Sequence, residues 1–375
     1  MRFLLFSSLL HLCSSLHILM YLNLVGRSHL QHAEHLIRVL NERGHTTDLV
    51  IGRMNSAVKL NGTYGAQRLV LNSFPSSSPW NAVSSHLLDP FVPFRPWNPF
   101  ESPFDKMVVV MEEMCDLLLA STEIRELLRN AKYDIVLSSA YEICPIGLFH
   151  HYKLGPMATF GATPLVDAQV VFSGLPELPL YENSLIDPRQ EGSRHDFFSR
   201  VFDSLYALYS RWKFDHHCQR INGKLRAALG TVEDVRDVLR NNSLDFTNSH
   251  PLLEEARPLS FRIRYIGGIG LTKPRPVSKE LDQVLSKSIK GTILFSFGTQ
   301  VPSEKFSARL IAIFVESFKK FPDHTFLWKY DGNATIDAAN VIPMKWLPQN
   351  DLLRIIFLLD FRDLRGNNCF INPSS

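Results

Sequence analysis

Short runs of continuous apolar residues alternate along this chain with stretches in which apolar residues recur every three to four positions. The run Leu16 to Val25 reads as a strand ending near Asn23, followed by a Gly-containing loop. A helix is predicted to open at Ser28, a good N-cap, with Ala33, Leu36, Ile37 and Leu40 as its buried face. Gly44 stops it, and Thr47 to Ile51 reads as the next strand. Tyr133 to Ser138 (YDIVLS) and Met157 to Phe160 read as further buried strands, and His195 to Phe214 as a helix. Two proline-rich passages lack periodicity, Ser73 to Phe104 and Leu175 to Pro188. The first, dense in aromatics, reads as a long loop over the sheet, of the kind that shapes a binding cleft. Gly267 to Val277 (GGIGLTKPRPV) has the Gly and Pro density of a boundary. Beyond it Thr292 to Phe297, Thr325 to Tyr330 and Val341 to Lys345 read as strands. Ser303 to Phe321 reads as an amphipathic helix with Phe306, Leu310, Ile313 and Phe314 on one side. Alternating strand and helix predicts an α/β fold with parallel sheets covered on both faces. The second sheet has three predicted strands, where a doubly wound domain has about five or six.

Composition narrows this picture. The 375 residues accommodate two domains, and 45% hydrophobic with 21% charged residues is globular usage. The net charge of +3, from 40 basic and 37 acidic residues, leaves no concentrated basic footprint for nucleic acid. Arg2 precedes the apolar run Phe3 to Leu12, and Cys13 and Ser15 are the small residues of a cleavage site after Ser15. Residues 1–15 therefore have the layout of a secretory signal peptide, and the alternative is a buried first strand. The five cysteines (Cys13, Cys115, Cys144, Cys218, Cys369) contain no CxxC pair, and the partners of any bridge cannot be read off. Sequons at Asn61, Asn241 and Asn333 permit a luminal location without proving one. After the leader no segment reaches the roughly 20 apolar residues that cross a bilayer, so no membrane anchor is expected in the chain as written.

Candidate chemistry lies at strand ends. His29 follows the first strand, where ligands bind in open α/β sheets, and a histidine there can take a proton from a hydroxyl. The plain alternative is a helix-start histidine facing solvent. His29, His32 and His35 form an H-x-x-H-x-x-H run, but steps of three drift about 60° each around a helix, so a solvated histidine face is expected and no metal site. Gly298-Thr299 joins a strand to a helix, a junction suited to phosphate oxygens, though most such turns contain residues of this kind. No GxGxxG or GxxxxGK[ST] is present, which counts against a dinucleotide dehydrogenase or a P-loop NTPase. In MKWLPQNDLL, Trp346 can offer a flat face to a base and Gln349 can pair with its polar edge; a core tryptophan and a turn glutamine are the plain reading.

Together, VGRSHLQHAEHLIRVLNERGHTTDLV, KYDIVLSSAYEICPIGLF, LDFTNSHPLLEEARPL…RYIGGIG, GTILFSFGT and KWLPQNDLL resemble the UDP-glycosyltransferase family of the glucuronosyltransferase type, from about residue 16 to Leu353. The resemblance implies a GT-B architecture of two Rossmann-like domains. These would be an acceptor-binding domain over 16–266, a linker over 267–284 and a partial UDP-sugar-binding domain over 285–353, followed by a divergent tail, 354–375. It implies inverting, metal-free transfer of glucuronate or glucose from a UDP-sugar to a hydroxyl of a small lipophilic acceptor, in the endoplasmic reticulum lumen. His29 matches the general base, Gly298 and Thr299 the diphosphate contact, and Trp346 and Gln349 the uracil-stacking and base-pairing positions.

Two departures from the family pattern stand out. The carboxylate that orients the histidine normally follows the YDIVL strand. Here Ser138-Ser139 stand there, and Glu142, three residues on, is the candidate substitute. After Leu353 the family continues with a Thr-His-Gly-Gly strand end, a diphosphate-binding helix and a membrane anchor, none of which follows here. The alternative expectation is thus an inactive, truncated form that binds acceptor or a partner, including a dimer with full-length relatives.

Overall fold

The computed structural model describes residues 15–56, 58–78, 103–165, 167–175, 197–254, 258–298, 301 and 303–353. Residues 1–14 of the expected leader, most of both proline-rich passages, Thr299 and the tail 354–375 lie outside the described residues. The described chain forms two units, the first running to Gly270 and the second starting at Leu271.

The first unit begins with β1 (His17–Asn23), α1 (Arg27–Glu42), β2 (Thr46–Arg53) and β3 (Arg68–Ser73). It continues through α2 (Pro103–Ala120), α3 (Thr122–Asn130), β4 (Ile135–Ser139), α4 (Cys144–His151), β5 (Met157–Gly161) and α5 (Asp167–Phe172). The long α6 (Phe197–Leu229), α7 (Val235–Arg240), β6 (Leu244–Thr247) and β7 (Ile263–Tyr265) complete it. All seven strands run parallel in the order β3-β2-β1-β4-β5-β6-β7. That order places the topological switch between β1 and β4, whose carboxyl ends open a crevice.

β1 is apolar from Ile18 to Leu22 because both of its faces are covered. Ile18, Met20 and Leu22 pack with Leu30, Ala33, Leu36 and Ile37 of α1, while Leu19 and Tyr21 join α2, α4 and α6 on the other face. Burying Leu30 and Ile37 contributes about 1.5–3 kcal/mol each. α1 ends in a turn in which Gly44, at φ +83°, donates its N–H to Asn41 O at 2.9 Å, a left-handed position that glycine takes without steric cost.

The second unit holds α8 (Lys279–Ser286), β8 (Thr292–Phe295), α9 (Ala308–Lys319), β9 (Thr325–Lys329), β10 (Val341–Met344) and α10 (Gln349–Leu352). Its described strands are parallel in the order β10-β9-β8, with the fully buried Trp328 in the middle strand. The three strands match the periodic runs of the sequence.

Three expectations need correction. α1 starts at Arg27 with Gly26 as its N-cap, so Ser28 lies inside the first turn and does not cap it. α6 continues well past Phe214, because Cys218, Ile221 and Leu225 extend the buried stripe across polar sequence. In α9, Ile313 is 50% exposed and the packed face is Leu310, Ile311, Phe314, Val315 and Phe318, preceded by a 3-10 turn at Ser303–Lys305.

Candidate active site

The crevice between β1 and β4 is built from the start of α1 and from residues 140–143, which join β4 to α4. His29, in the first turn of α1, is half-buried and meets the Tyr141 ring edge-on at a centroid distance of 5.3 Å. Tyr141 is itself anchored. Its hydroxyl shares a 2.7 Å hydrogen bond with the Thr163 hydroxyl and accepts the Thr163 N–H at 3.0 Å. Burial pushes the His29 imidazole down to about 4, so the ring is neutral near pH 7. Its Nδ1 is buried without a hydrogen-bond partner.

The histidine run is not a solvated face. His32 is 5% exposed, lies 6.3 Å from the Phe160 ring and is held down to about 4, first by burial and then by His35 and His29. His35 packs on Gly270, where a Cβ would come within 1.9 Å of the imidazole Nδ1. The run faces protein because the apolar stripe of α1 is wide enough to carry its histidines inward. Among the described residues no group of three or more His, Cys, Asp or Glu is placed to hold a metal ion.

Glu142 is not brought to His29. It is fully buried and accepts the Tyr21 hydroxyl at 2.8 Å, and Tyr21 lies on the sheet face opposite α1. Burial pushes its carboxyl up to about 8, against the Tyr21 hydrogen bond, which lowers it. Gly52 makes room for this pair, since a Cβ there would lie 2.1 Å from the Tyr21 hydroxyl oxygen. By register Ser139 pairs with Phe160 and so lies on the face that α1 covers; it is 1% exposed. A serine therefore stands where an orienting carboxylate would reach the α1 side. Tyr141 was not singled out by sequence reasoning, and an aromatic one residue beyond the strand-end SSA was its only signal.

In the second unit β8 is followed by Ser296 and by a turn at Gly298, whose φ is +71°. Among the described residues other than its chain neighbours, no atom lies within 4 Å of a Cβ placed at Gly298, so its requirement is conformational. Ser296 Oγ accepts the Gly298 N–H at 3.1 Å and Gln349 Nε2–H at 3.0 Å. Trp346, after β10, is 64% exposed and offers its ring to solvent, which sets it apart from the core Trp328. The structure thus joins Gly298 and Gln349 through Ser296, a link the sequence did not signal.

Among the described residues the cysteines form one bridge, Cys115–Cys144, between α2 and the start of α4, and Cys218 is buried and free. Among the described residues no helix is long and apolar enough to cross a membrane.

A family model described as UDP-glucoronosyl and UDP-glucosyl transferase matches residues 24–356. A protein of Caenorhabditis elegans named a UDP-glucuronosyltransferase is 26% identical over 352 residues, covering 91% of this chain and 66% of its own length. The UDP-glucosyltransferase 2 of Dactylopius coccus is 25% identical over 356 residues, covering 93% of this chain and 65% of its own. This chain therefore spans about two thirds of the length of these relatives. The solved glycosyltransferase of kitacinnamycin covers 92% of this chain and 74% of its own at a TM-score of 0.55 and 16% identity, a likeness of fold. The seven- and three-stranded parallel sheets are those of the GT-B fold, and the chain belongs to the UDP-glucuronosyl and UDP-glucosyl transferase family.

Proposed function

We propose that this chain transfers glucuronate or glucose from a UDP-sugar to a hydroxyl of a small lipophilic acceptor, with inversion. One observation carries the reading: a neutral, half-buried histidine held against Tyr141 at the switch point between β1 and β4. With Nδ1 enclosed, Nε2 is the nitrogen left to accept the acceptor's hydroxyl proton. As that oxygen bonds to the anomeric carbon, the bond from that carbon to the diphosphate oxygen breaks and UDP leaves with the electron pair. Trp346 stacks on the uracil, Gln349 meets its edge, and Gly298 with Thr299 lets the diphosphate approach the backbone. The relatives' names support a UDP-sugar as donor. The Cys115–Cys144 bridge supports an oxidising compartment, in keeping with a secretory, endoplasmic reticulum location.

A second reading, an acceptor- or partner-binding protein without transfer, is favoured by one feature. Ser139 faces α1 where a carboxylate would orient the base, and Glu142 is committed to Tyr21. Product formation from UDP-glucuronate and UDP-glucose with a panel of phenols decides between them. Transfer that falls about 10²–10⁴-fold in His29→Ala supports the enzyme. Acceptor binding with no transfer above His29→Ala supports the binding protein.

A further inference from the structure

The polar residues that open α10 are each tied to another segment of the second unit. Gln349 donates to Ser296 Oγ at 3.0 Å. Asn350 Nδ2 donates to the carbonyl and the hydroxyl of Thr272, both at 3.1 Å. Asp351 Oδ1 accepts the Arg275 N–H at 2.7 Å. The last two fix the helix start against the segment entering the unit. The first connects it to the turn after β8.

A serine hydroxyl has two acceptor lone pairs and one donor. In Ser296 both acceptor positions are used, one by Gln349 and one by the Gly298 N–H at 3.1 Å. The two groups it joins lie beyond different strands, β8 and β10, each of which is laddered to β9 between them. Gly298 and Gln349 themselves stand outside those ladders, and the Ser296 hydroxyl links them directly.

We infer that Ser296 is a positioning residue that sets the Gln349 carboxamide and the Gly298 turn in one arrangement, so that the groups meeting the base edge and the diphosphate of a uridine diphosphate are preformed together. This inference rests on the donor-site reading of Gln349 and Gly298. Without Ser296 the carboxamide is free to rotate, and its ordering falls on the binding step.

Two measurements on the full chain test this. In protein labelled with ¹⁵N on glutamine side chains, Gln349→Ala identifies the Gln349 amide pair. Ser296→Ala is expected to shift that pair and speed its exchange with water, and Ser296→Thr to restore it; an unchanged pair in Ser296→Ala overturns the inference. In fluorescence titrations with UDP, Ser296→Ala is expected to weaken binding about five-fold in the native background, the size of one net hydrogen bond. In the Gln349→Ala background it should add almost nothing. Equal losses in both backgrounds would mean Ser296 acts independently of Gln349, which also overturns it. If the native chain takes up no UDP, the donor-site reading fails, and the amide spectrum alone decides whether Ser296 holds Gln349.

Discussion

An imidazole with a pKa of about 4 is unprotonated at pH 7 and free to accept a proton, yet it is a weak base. Its imidazolium would form in the same enclosed place that disfavours it now. A carboxylate on the α1 face would relieve this, and Ser139 is the position from which one would act. Leu137, two residues earlier on β4, packs in the α1-side cluster, and Tyr141, two residues later, touches His29. Ser139→Asp is therefore expected to raise the His29 pKa by roughly 1–3 units. Ser139→Asn, close in volume but uncharged, should leave it near the native value. The titration of the His29 ring protons, followed by NMR, checks this. Equal shifts in both variants would mean that Ser139 does not face His29. His29 was legible in the sequence as a residue at a strand end. The failure of Glu142 to serve it was not, because the side-chain direction three residues beyond a strand depends on the turn, and this turn sends the carboxyl to Tyr21.

Strands were the most legible elements where both faces are covered. β1, β2, β4, β8 and β9 each carry a short apolar run in the sequence (ILMYL, LVI, IVL, ILF and FLW), because a parallel sheet between helices exposes neither side. β6 and β7 did not stand out because each is short and interrupted by a charged residue, Asp245 in β6 and Arg264 in β7. That aspartate is buried with Thr159, Ser173 and Asn242 donating to it at 2.6–2.8 Å and the Arg262 guanidinium 3.9 Å away. The second half of α6 was hidden for a similar reason. Its polar face is committed to α2, with Glu112 accepting from His217 Nδ1 at 2.9 Å and from Arg220 Nε at 2.6 Å. The disulfide acts between elements as well, joining α2 to the residue at which α4 begins, just after Tyr141 and Glu142. Closing a loop over a sequence separation of 29 is expected to stabilise the first unit by roughly 2–4 kcal/mol. The double variant Cys115→Ala, Cys144→Ala should lose that amount in urea unfolding. Dithiothreitol should destabilise the native chain by a similar amount and leave the double variant unmoved. A native chain indifferent to reductant would show that the bridge does not form.

At the scale of the whole molecule, desolvated groups make stability depend on pH with opposite signs. His29 and His32 are held down to about 4 from a usual 6.5. The unfolded chain takes up protons that the folded chain refuses, so their contribution is present above pH 6.5 and lost as pH falls through 4. Glu142 is pushed up to about 8 from a usual 4.5. Here the folded chain keeps a proton that the unfolded chain gives up, so the contribution is present below pH 4.5 and lost as pH rises through 8. Each shift corresponds to at most about 3–5 kcal/mol at 1.36 kcal/mol per pH unit, and Tyr21, the hydrogen-bond partner of Glu142, moderates the last. Urea midpoints should therefore fall on both sides of a maximum that lies between about pH 5 and 7. The two limbs can be separated with one substitution. Glu142→Gln keeps an oxygen to accept the Tyr21 hydroxyl but cannot ionise, so it should flatten the alkaline limb, raise stability at pH 8 and leave in place the acid limb, which the histidines share with the ion-paired carboxylates Asp234 and Glu112. An alkaline limb that persists in Glu142→Gln would place its origin in some other group and would remove the argument that burial keeps this carboxyl neutral.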